Sequence, residues 1–153
     1  MPFRILPLEK MKNELGRELG VTDWLLIDQE KINRFAECTM DRQWIHVDEE
    51  MAAKGPFGKT IAHGYLTVSL LSHFGQIHMI MPEGCKMAIN YGMNKLRLLS
   101  PVTVGSRIRD RIVFTGLEEK SNGILVTTSH TVEIENQDKP ALFAEMLTMF
   151  HTS

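Results

Sequence analysis

The chain has 153 residues, of which 43% are hydrophobic and 24% are charged, and its formal net charge at pH 7 is −2. This length is enough for one domain with a real core, and the composition is typical of a globular protein. A chain with a small negative net charge and no basic block is a poor ligand for nucleic acid, so we expect no nucleic-acid partner. We expect residues 1–153 to form a single domain.

The cellular compartment is indicated by the first residues, the hydropathy and the cysteines. Met1–Pro7 lacks the long apolar core of a secretory signal peptide. Polar residues interrupt the most apolar stretch, Gly64–Met81, which is short for a membrane span. Cys38 and Cys85, in a chain without an export signal, indicate a reducing compartment and no disulfide. We therefore expect a cytoplasmic protein that does not insert into a membrane.

The first third of the chain has mainly helical signals. Apolar residues recur at helical spacing over Leu8–Leu19, and Gly20 follows as a usual C-cap residue, which predicts a helix there. Trp24–Ile27 predicts a short strand. Asp28 and Asp48 are suited to cap two further helices, the second of which should end at a glycine–proline loop.

The remainder of the chain predicts one long helix followed by strands. Gly64–Met79 is apolar around most of its circumference, which predicts a helix enclosed by other structure. Alternating patterns then predict strands at Lys86–Leu99, Arg107–Thr115, Ile124–Ile134 and Pro140–Phe150. Turn sequences at Ser121–Gly123 and Asn136–Lys139 predict that the last three strands form an antiparallel meander. The fold class is α+β, with a curved antiparallel sheet wrapped around a central helix.

Polar residues next to the long helix suggest a proton-transfer site. Asp41 and His46 are five residues apart, so a bend between them would let the carboxylate and the imidazole converge on one water. The helix that begins at Gly64 has free amides at its first turn and the positive end of its dipole there. Such amides favour a developing oxyanion.

Three segments together resemble a known family. They are Asp41–His46, Gly55–Tyr65, and Asn90–Arg97 with the following Pro101–Ser106. They are similar to D-x-[NQ]-x-[ILV]-H, G-P-F-G-x-x-I-A-H-G and N-Y-G-x-[ND]-[KR]-x-R…P-V-x-x-G of the MaoC-like dehydratases, or (R)-specific enoyl-CoA hydratases. The resemblance extends from about residue 24 to the end of the chain. It implies the hot-dog fold, a homodimer, and reversible hydration of trans-2-enoyl-CoA to (R)-3-hydroxyacyl-CoA. Because a conjugated thioester is already electrophilic, we expect this reaction to need no metal or further cofactor.

The resemblance also implies roles for individual residues. Asp41 and His46 match the catalytic pair, and Gly64 matches the residue whose backbone N–H binds the thioester oxygen. We expect further contacts to the acyl-CoA substrate from Gln43, His63, Tyr65, Lys95 and Arg97. Many family members have Gly before the aspartate and Asn-Pro within the pair. This chain has Met40 and Gln43-Trp44 instead, which resembles the nodulation-protein-N branch.

Simpler roles remain open for some of these residues. His63 could support the helix start, Gly64 could allow close packing of the helix on the sheet, and Lys95 and Arg97 could be plain surface charges. Which of Asp41 and His46 takes the proton from water is also open. Two other functions fit the scaffold: an acyl-CoA thioesterase and a non-catalytic acyl-CoA-binding module.

Other polar residues have ordinary explanations. Arg107, Arg109 and Arg111 alternate, which predicts the solvated face of a strand, with an anion site as the alternative. His73 and His78 are five residues apart on a helix, a poor spacing for a shared metal. We predict no metal site.

Overall fold

The computed structural model describes residues 4–153. The elements in chain order are β1 (Arg4–Leu6), α1 (Leu8–Lys12), β2 (Glu18–Val21), β3 (Leu25–Leu26), α2 (Gln29–Thr39), α3 (Trp44–Val47), α4 (Glu49–Ala53), α5 (Gly64–His78), β4 (Ile80–Pro82), β5 (Met87–Leu98), β6 (Arg107–Lys120), β7 (Gly123–Ile134) and β8 (Leu142–His151).

The main sheet has the strand order β2-β6-β7-β8-β5, and β3 also pairs with β6. Strands β6, β7 and β8 form the predicted antiparallel meander. The four predicted long strands are confirmed, although β6 continues to Lys120 through an irregularity between Phe114 and Gly116. Strand β1 pairs in parallel with β4 in a separate two-stranded sheet that was not predicted.

Helix α5 packs on the sheet with one face. Its buried residues include Leu66, Leu71 and Phe74, which belong to the same apolar cluster as Ile108 and Val132 of the sheet. On its other face the exposed residues are Tyr65, Ser69, His73 and Gln76. The predicted long central helix is therefore present, but the described residues of the chain leave one face of α5 exposed.

The predicted first helix is also wrong in extent. Helix α1 ends at Lys12, and the following residues turn and enter strand β2, which contains Gly20. Gly20 is therefore no C-cap. A Cβ atom on Gly20 would lie 2.6 Å from Nδ1 of His78, so the missing side chain makes room for an imidazole at the end of α5. Local periodicity cannot show this because the two residues are distant in the chain.

Predictions from local signals elsewhere are confirmed. The carboxylates of Asp28 and Asp48 each accept a hydrogen bond of 2.9 Å from a helical N–H and cap α2 and α4. The alternating arginines of β6 form ion pairs with acidic side chains, as expected for a solvated strand face. Among the described residues no helix is both long and apolar enough to cross a membrane.

A polar layer crosses the otherwise apolar core. Asp110 on β6 and His130 on β7 are fully buried, and Nδ1 of His130 lies 2.6 Å from Oδ2 of Asp110. The hydroxyl of Thr128 lies 2.8 Å from Nε2 of the same histidine. On β7 these residues separate Val126, which belongs to one apolar cluster, from Val132, which belongs to another.

Candidate active site

The segment that carries Asp41 begins with an unusual backbone conformation. Helix α2 ends at Thr39, and Met40 follows in the left-handed region with a φ of 63°. This region favours glycine because a side chain meets the backbone there. The glycine that many family members have before the aspartate is explained by this geometry. Met40 adopts it at an energetic penalty, and the chain then turns so that Asp41 lies at the end of α2.

We expect Met40→Gly to raise the free energy of unfolding by about 0.5–1 kcal/mol. The steric penalty of a left-handed residue is about 1–2 kcal/mol, which exceeds the roughly 0.5–1 kcal/mol of backbone entropy that glycine adds to the unfolded chain. Met40 is 74% exposed, so little packing is lost. Chemical denaturation measures the change. Met51→Gly, within helix α4, is the matched control and should lower stability; an equal loss in Met40→Gly would contradict this explanation.

His46 lies on the short helix α3, which the sequence analysis missed. Gln43 occupies the N-cap of this helix and Trp44 its first position, where a family proline would be favoured. His46 is 6% exposed, and its Nδ1 lies 2.7 Å from the carbonyl oxygen of Ile61. A carbonyl only accepts, so Nδ1 carries the hydrogen and donates it. Nε2 of the neutral ring is therefore the nitrogen free to accept a proton.

His63 joins this pair at the start of α5. Its ring stacks on that of His46 with centroids 3.8 Å apart and an interplanar angle of 21°. Its Nε2 donates to the backbone carbonyl of Asp41 at 2.9 Å. One ligand-type atom each from Asp41, His46 and His63 lie within 4.8 Å of one another. The structure therefore brings together the predicted carboxylate and imidazole, and adds a second imidazole.

These three residues have the composition of a metal site but not a suitable ring geometry. Two histidines that share an ion direct their ring lone pairs towards one point. The rings of His46 and His63 are stacked and nearly parallel, so their lone pairs lie in two separate planes and do not converge on one point. The arrangement suits hydrogen bonding to a water better than chelation of an ion.

Burial sets the protonation of His46. Desolvation is the main cause that lowers the pKa of His46, and the neighbouring His63 lowers it further, while the hydrogen bond to Ile61 and the charge of Asp41 act in the opposite direction. The net effect keeps the imidazole neutral at pH 7. A neutral imidazole with a free Nε2 can accept a proton.

We expect the titration midpoint of His46 to lie below the usual histidine value of about 6.5. Because the pKa is lowered, the ring takes up its proton only as the pH falls below that value. NMR of the ring resonances, assigned with a His46→Gln variant, measures the midpoint. A midpoint at or above 6.5 would show that burial does not control this group.

Gly64 is the first residue of α5, as predicted. Within the described chain its N–H has no hydrogen-bond acceptor, and no side chain caps the helix start. A cavity of about 220 Å³ adjoins it, lined among others by Thr67, Leu98, Pro101 and Val102. A Cβ atom on Gly64 would lie 2.5 Å from Cδ1 of Leu98, so the glycine also permits a close contact with β5.

Asp41 and His46 lie close to the cavity but do not form part of its wall. Ile61, whose carbonyl binds His46, does line the 220 Å³ cavity. His63 directly precedes Gly64 and contacts both members of the pair. The chain segment 61–64 therefore connects Asp41 and His46 to the free amide of Gly64.

The other predicted substrate contacts lie at different places. Gln43 is exposed beside Asp41, and Tyr65 is 70% exposed on the open face of α5. Lys95 lies over the ring of Phe143, with its Nζ 5.5 Å from the ring centroid. Strand alternation directs Lys95 and Arg97 away from the face that contains Leu98. The structure does not bring these two cations to the cavity of the same chain, and their contacts to the acyl-CoA substrate stay a prediction.

Two supporting residues were missed by the sequence analysis. Nε2 of Gln29 donates to the backbone carbonyl of His46 at 2.8 Å, and the hydroxyl of Thr60 donates to Oε1 of Gln29. These bonds tie α2 and the segment before α5 to α3. A glutamine at the start of a helix gives no local signal for this role, because its partners are 17 and 31 residues away.

Comparisons with known proteins agree with this architecture. The family described as MaoC like domain matches residues 10–136. The 3-hydroxyacyl-thioester dehydratase Z of Mycobacterium tuberculosis is 49% identical over 136 residues, which cover 88% of this chain and 89% of that protein. Nodulation protein N of Rhizobium leguminosarum is 44% identical over 146 residues, with 94% and 91% covered.

A solved structure supports the fold. The (R)-hydratase from A. caviae involved in PHA biosynthesis has a TM-score of 0.74 and 24% sequence identity, and the match covers 90% of this chain and 96% of that one. The curved sheet around α5 is the hot-dog fold, as the sequence resemblance implied. On the family match and the two close relatives, this chain belongs to the MaoC-like dehydratase family.

Proposed function

We propose that this chain is an (R)-specific enoyl-CoA hydratase and 3-hydroxyacyl-CoA dehydratase. The observation that carries the proposal is the convergence of the Asp41 carboxylate and the His46 imidazole within 4.8 Å, next to the free N–H at the start of α5. The name of the Mycobacterium tuberculosis relative, a 3-hydroxyacyl-thioester dehydratase, supports the same class of reaction.

The pair is suited to hold the water that attacks the substrate. Asp41 has acceptor oxygens, and His46 has an unprotonated Nε2 because its Nδ1–H is bound to Ile61. One water can donate a hydrogen bond to each of these groups, which leaves an oxygen lone pair for the β-carbon. As that lone pair forms the new C3–O bond, one of the two bases takes the proton of the water.

The remaining charge moves to the thioester. The C2=C3 electron pair shifts towards the carbonyl, whose oxygen becomes enolate-like and can accept a hydrogen bond from the N–H of Gly64. The positive end of the α5 dipole favours the same charge. The proton taken from the water is then delivered to C2, which regenerates the base, completes the addition of water and leaves the thioester intact. The conjugated thioester is already electrophilic, so the proposed reaction uses no metal or cofactor.

We further propose that two copies of the chain associate through strand β5. This strand is at one end of the sheet order, so its outer edge has backbone groups without a strand partner among residues 4–153. It also exposes Met87, Ile89 and Tyr91, of which Tyr91 is 60% exposed. Pairing such an edge with a second copy covers its apolar side chains and its free backbone groups. The partner would also cover the open face of α5.

Ile89→Lys is expected to convert a dimer into a monomer. The substitution places a charge on the proposed interface, where Ile89 is 43% exposed in the single chain. Light scattering coupled to size exclusion measures the mass. Leu26→Lys on β3, at the opposite side of the sheet and 48% exposed, is the matched control. A monomeric wild-type protein, or dissociation in both variants, would contradict the proposal.

Absorbance of the enoyl-thioester band tests the proposed reaction. The wild-type protein is incubated with crotonyl-CoA and with a longer trans-2-enoyl-CoA, while a thiol reagent follows free CoA. Loss of the band without free thiol, and a product of (R) configuration, is the expected result. Release of free CoA would indicate a thioesterase instead. Binding of the substrate with neither change would indicate the non-catalytic module.

A further inference from the structure

The side chain of His63 contacts residues that are distant from it in the sequence. It is 2% exposed and precedes the first residue of α5. Its Nε2–H binds the carbonyl of Asp41 at 2.9 Å, and one side of its ring faces His46. Phe35 of α2 contacts the ring as well, with centroids 4.9 Å apart. Helix α2, helix α3 and the segment between them therefore all contact one imidazole.

The neighbouring Arg42 forms an exposed ion pair with Glu37, with bonds of 2.9 and 3.1 Å, but Asp41 itself has only long hydrogen bonds apart from the one with His63. The N–H of Asp41 reaches the Thr39 hydroxyl only at 3.5 Å, and the Asp41 carboxylate accepts from the N–H of Gln43 only at 3.4 Å. Asp41 is also exposed. Among the described contacts of its backbone, the bond from His63 is the shortest. Without it the carboxylate would be held mainly by long, weak hydrogen bonds.

The stack with His46 restrains the second member of the pair. His46 is held at its ring edge by Ile61 and at its ring face by His63. A proton-transfer group must stay within a fraction of an ångström of its position, since a shift of about 1 Å can reduce a rate roughly 100-fold. One side chain therefore fixes the backbone of the carboxylate and the ring plane of the imidazole.

We propose that His63 is a positioning residue for the reaction: it fixes the positions of Asp41 and His46 relative to each other. The next residue in the chain, Gly64, provides the amide that is proposed to bind the oxyanion. This inference rests on the proposed hydratase function. It gives His63 a different task from the substrate contact that the resemblance implied. The buried Nδ1 has no hydrogen-bond partner among the described residues, so the contacts that carry the inference are the Nε2 bond and the ring stack.

Two substitutions separate these contacts. His63→Gln offers an amide N–H to the Asp41 carbonyl but no aromatic ring, whereas His63→Phe keeps a ring but has no hydrogen-bond donor. We expect His63→Phe to lower kcat by about 10–100-fold with KM unchanged, since a loosened pair loses transition-state geometry rather than substrate affinity. His63→Gln should recover at least part of that loss. In both variants the acid limb of the pH profile should move to higher pH, because His63 contributes to the lowered pKa of His46.

A second readout does not depend on turnover. Amide hydrogen exchange at Asp41 and Arg42 should become faster in His63→Phe than in the wild type, since the anchor of this segment is lost. A raised KM with unchanged kcat would overturn the proposal in favour of a substrate contact. Unchanged exchange and kinetics in both variants would also overturn it. If the wild type hydrates no enoyl-CoA but exchange still responds, the proposed reaction fails while the positioning contact stands.

Discussion

Replacing Asp41 with Asn is expected to lower kcat for hydration by roughly 10²–10⁴-fold, the usual contribution of a positioned proton-transfer group. Asparagine has the same shape but cannot take a proton from water. The fold should be unaffected, because Asp41 is exposed and its carboxylate accepts only one long hydrogen bond, of 3.4 Å, from the residues that the structure describes. Initial rates with an enoyl-CoA, together with circular dichroism, measure both effects.

A matched control and a second variant sharpen this test. Asp23→Asn removes an exposed carboxylate away from the site and should leave kcat unchanged. His46→Gln should reduce kcat to a similar extent, since it removes the free Nε2, while its amide can replace the bond to Ile61. Activity near the wild-type level in either Asp41→Asn or His46→Gln would refute the assignment of the pair.

Replacing His130 with Ala is expected to lower the free energy of unfolding by about 3–5 kcal/mol, because it opens a cavity in the core and leaves a buried carboxyl group without its hydrogen-bond partner. His130 and Asp110 are both fully buried and lie 2.6 Å apart. Oδ1 of Asp110 already has no partner among the described residues, so loss of the imidazole would leave the carboxyl group without its side-chain hydrogen bond. Urea denaturation measures the change.

The contribution of Asp110 to the free energy of unfolding should change with pH in one direction. Burial raises the pKa of Asp110, and His130 and His78 oppose this while Glu133 adds to it. A raised carboxyl pKa in the folded state means that its stabilising contribution is complete at pH below about 3.9 and is lost as the pH rises through the raised value. Asp110→Asn should therefore gain stability relative to the wild type as the pH rises above about 4.

Two outcomes would contradict this account of the core. His151→Ala, on the end of β8 and only half-buried, is the control for loss of an imidazole and should cost much less than His130→Ala. Equal losses in the two variants would show that the buried pair has no special importance. A stability difference between Asp110→Asn and wild type that does not change with pH would show that folding does not raise the pKa of Asp110.

Much of the fold was predictable because its signals are local. Alternation over Ile124–Ile134 and the turn at Ser121–Gly123 predict a meander, and the caps at Asp28 and Asp48 predict helix starts. The long helix at Gly64 was predicted from its apolar run. Each of these features depends on side chains a few residues apart, which periodicity detects directly.

The missed features depend on contacts between distant residues. The helical spacing over Leu8–Leu19 does not produce a helix of that length, because the segment around Gly20 pairs with β6 as a strand. The absence of a side chain on Gly20 leaves room for the ring of His78. The four-residue helix α3 is too short for periodicity to show, although it sets the tautomer of His46 through Ile61. The open face of α5 was also missed, because the composition of a helix does not show whether its own chain or a second copy covers it.

The same distinction applies to the candidate site. The motif match suggested Asp41, His46 and Gly64 because it compares residue types at fixed spacing. It did not show that His63 binds the backbone of Asp41, a contact across 22 residues. It also did not separate Lys95 and Arg97 from the cavity, because that requires knowing which face of β5 each side chain takes.

Incubation of the wild-type protein with a trans-2-enoyl-CoA in ¹⁸O-labelled water distinguishes hydration of the double bond from hydrolysis of the thioester in one experiment. We expect one ¹⁸O atom on C3 of an (R)-3-hydroxyacyl thioester whose bond to CoA is intact, and a loss of this product in Asp41→Asn. Label in a free carboxylic acid together with released CoA, or an unchanged enoyl thioester at high protein concentration, would contradict the proposed hydration.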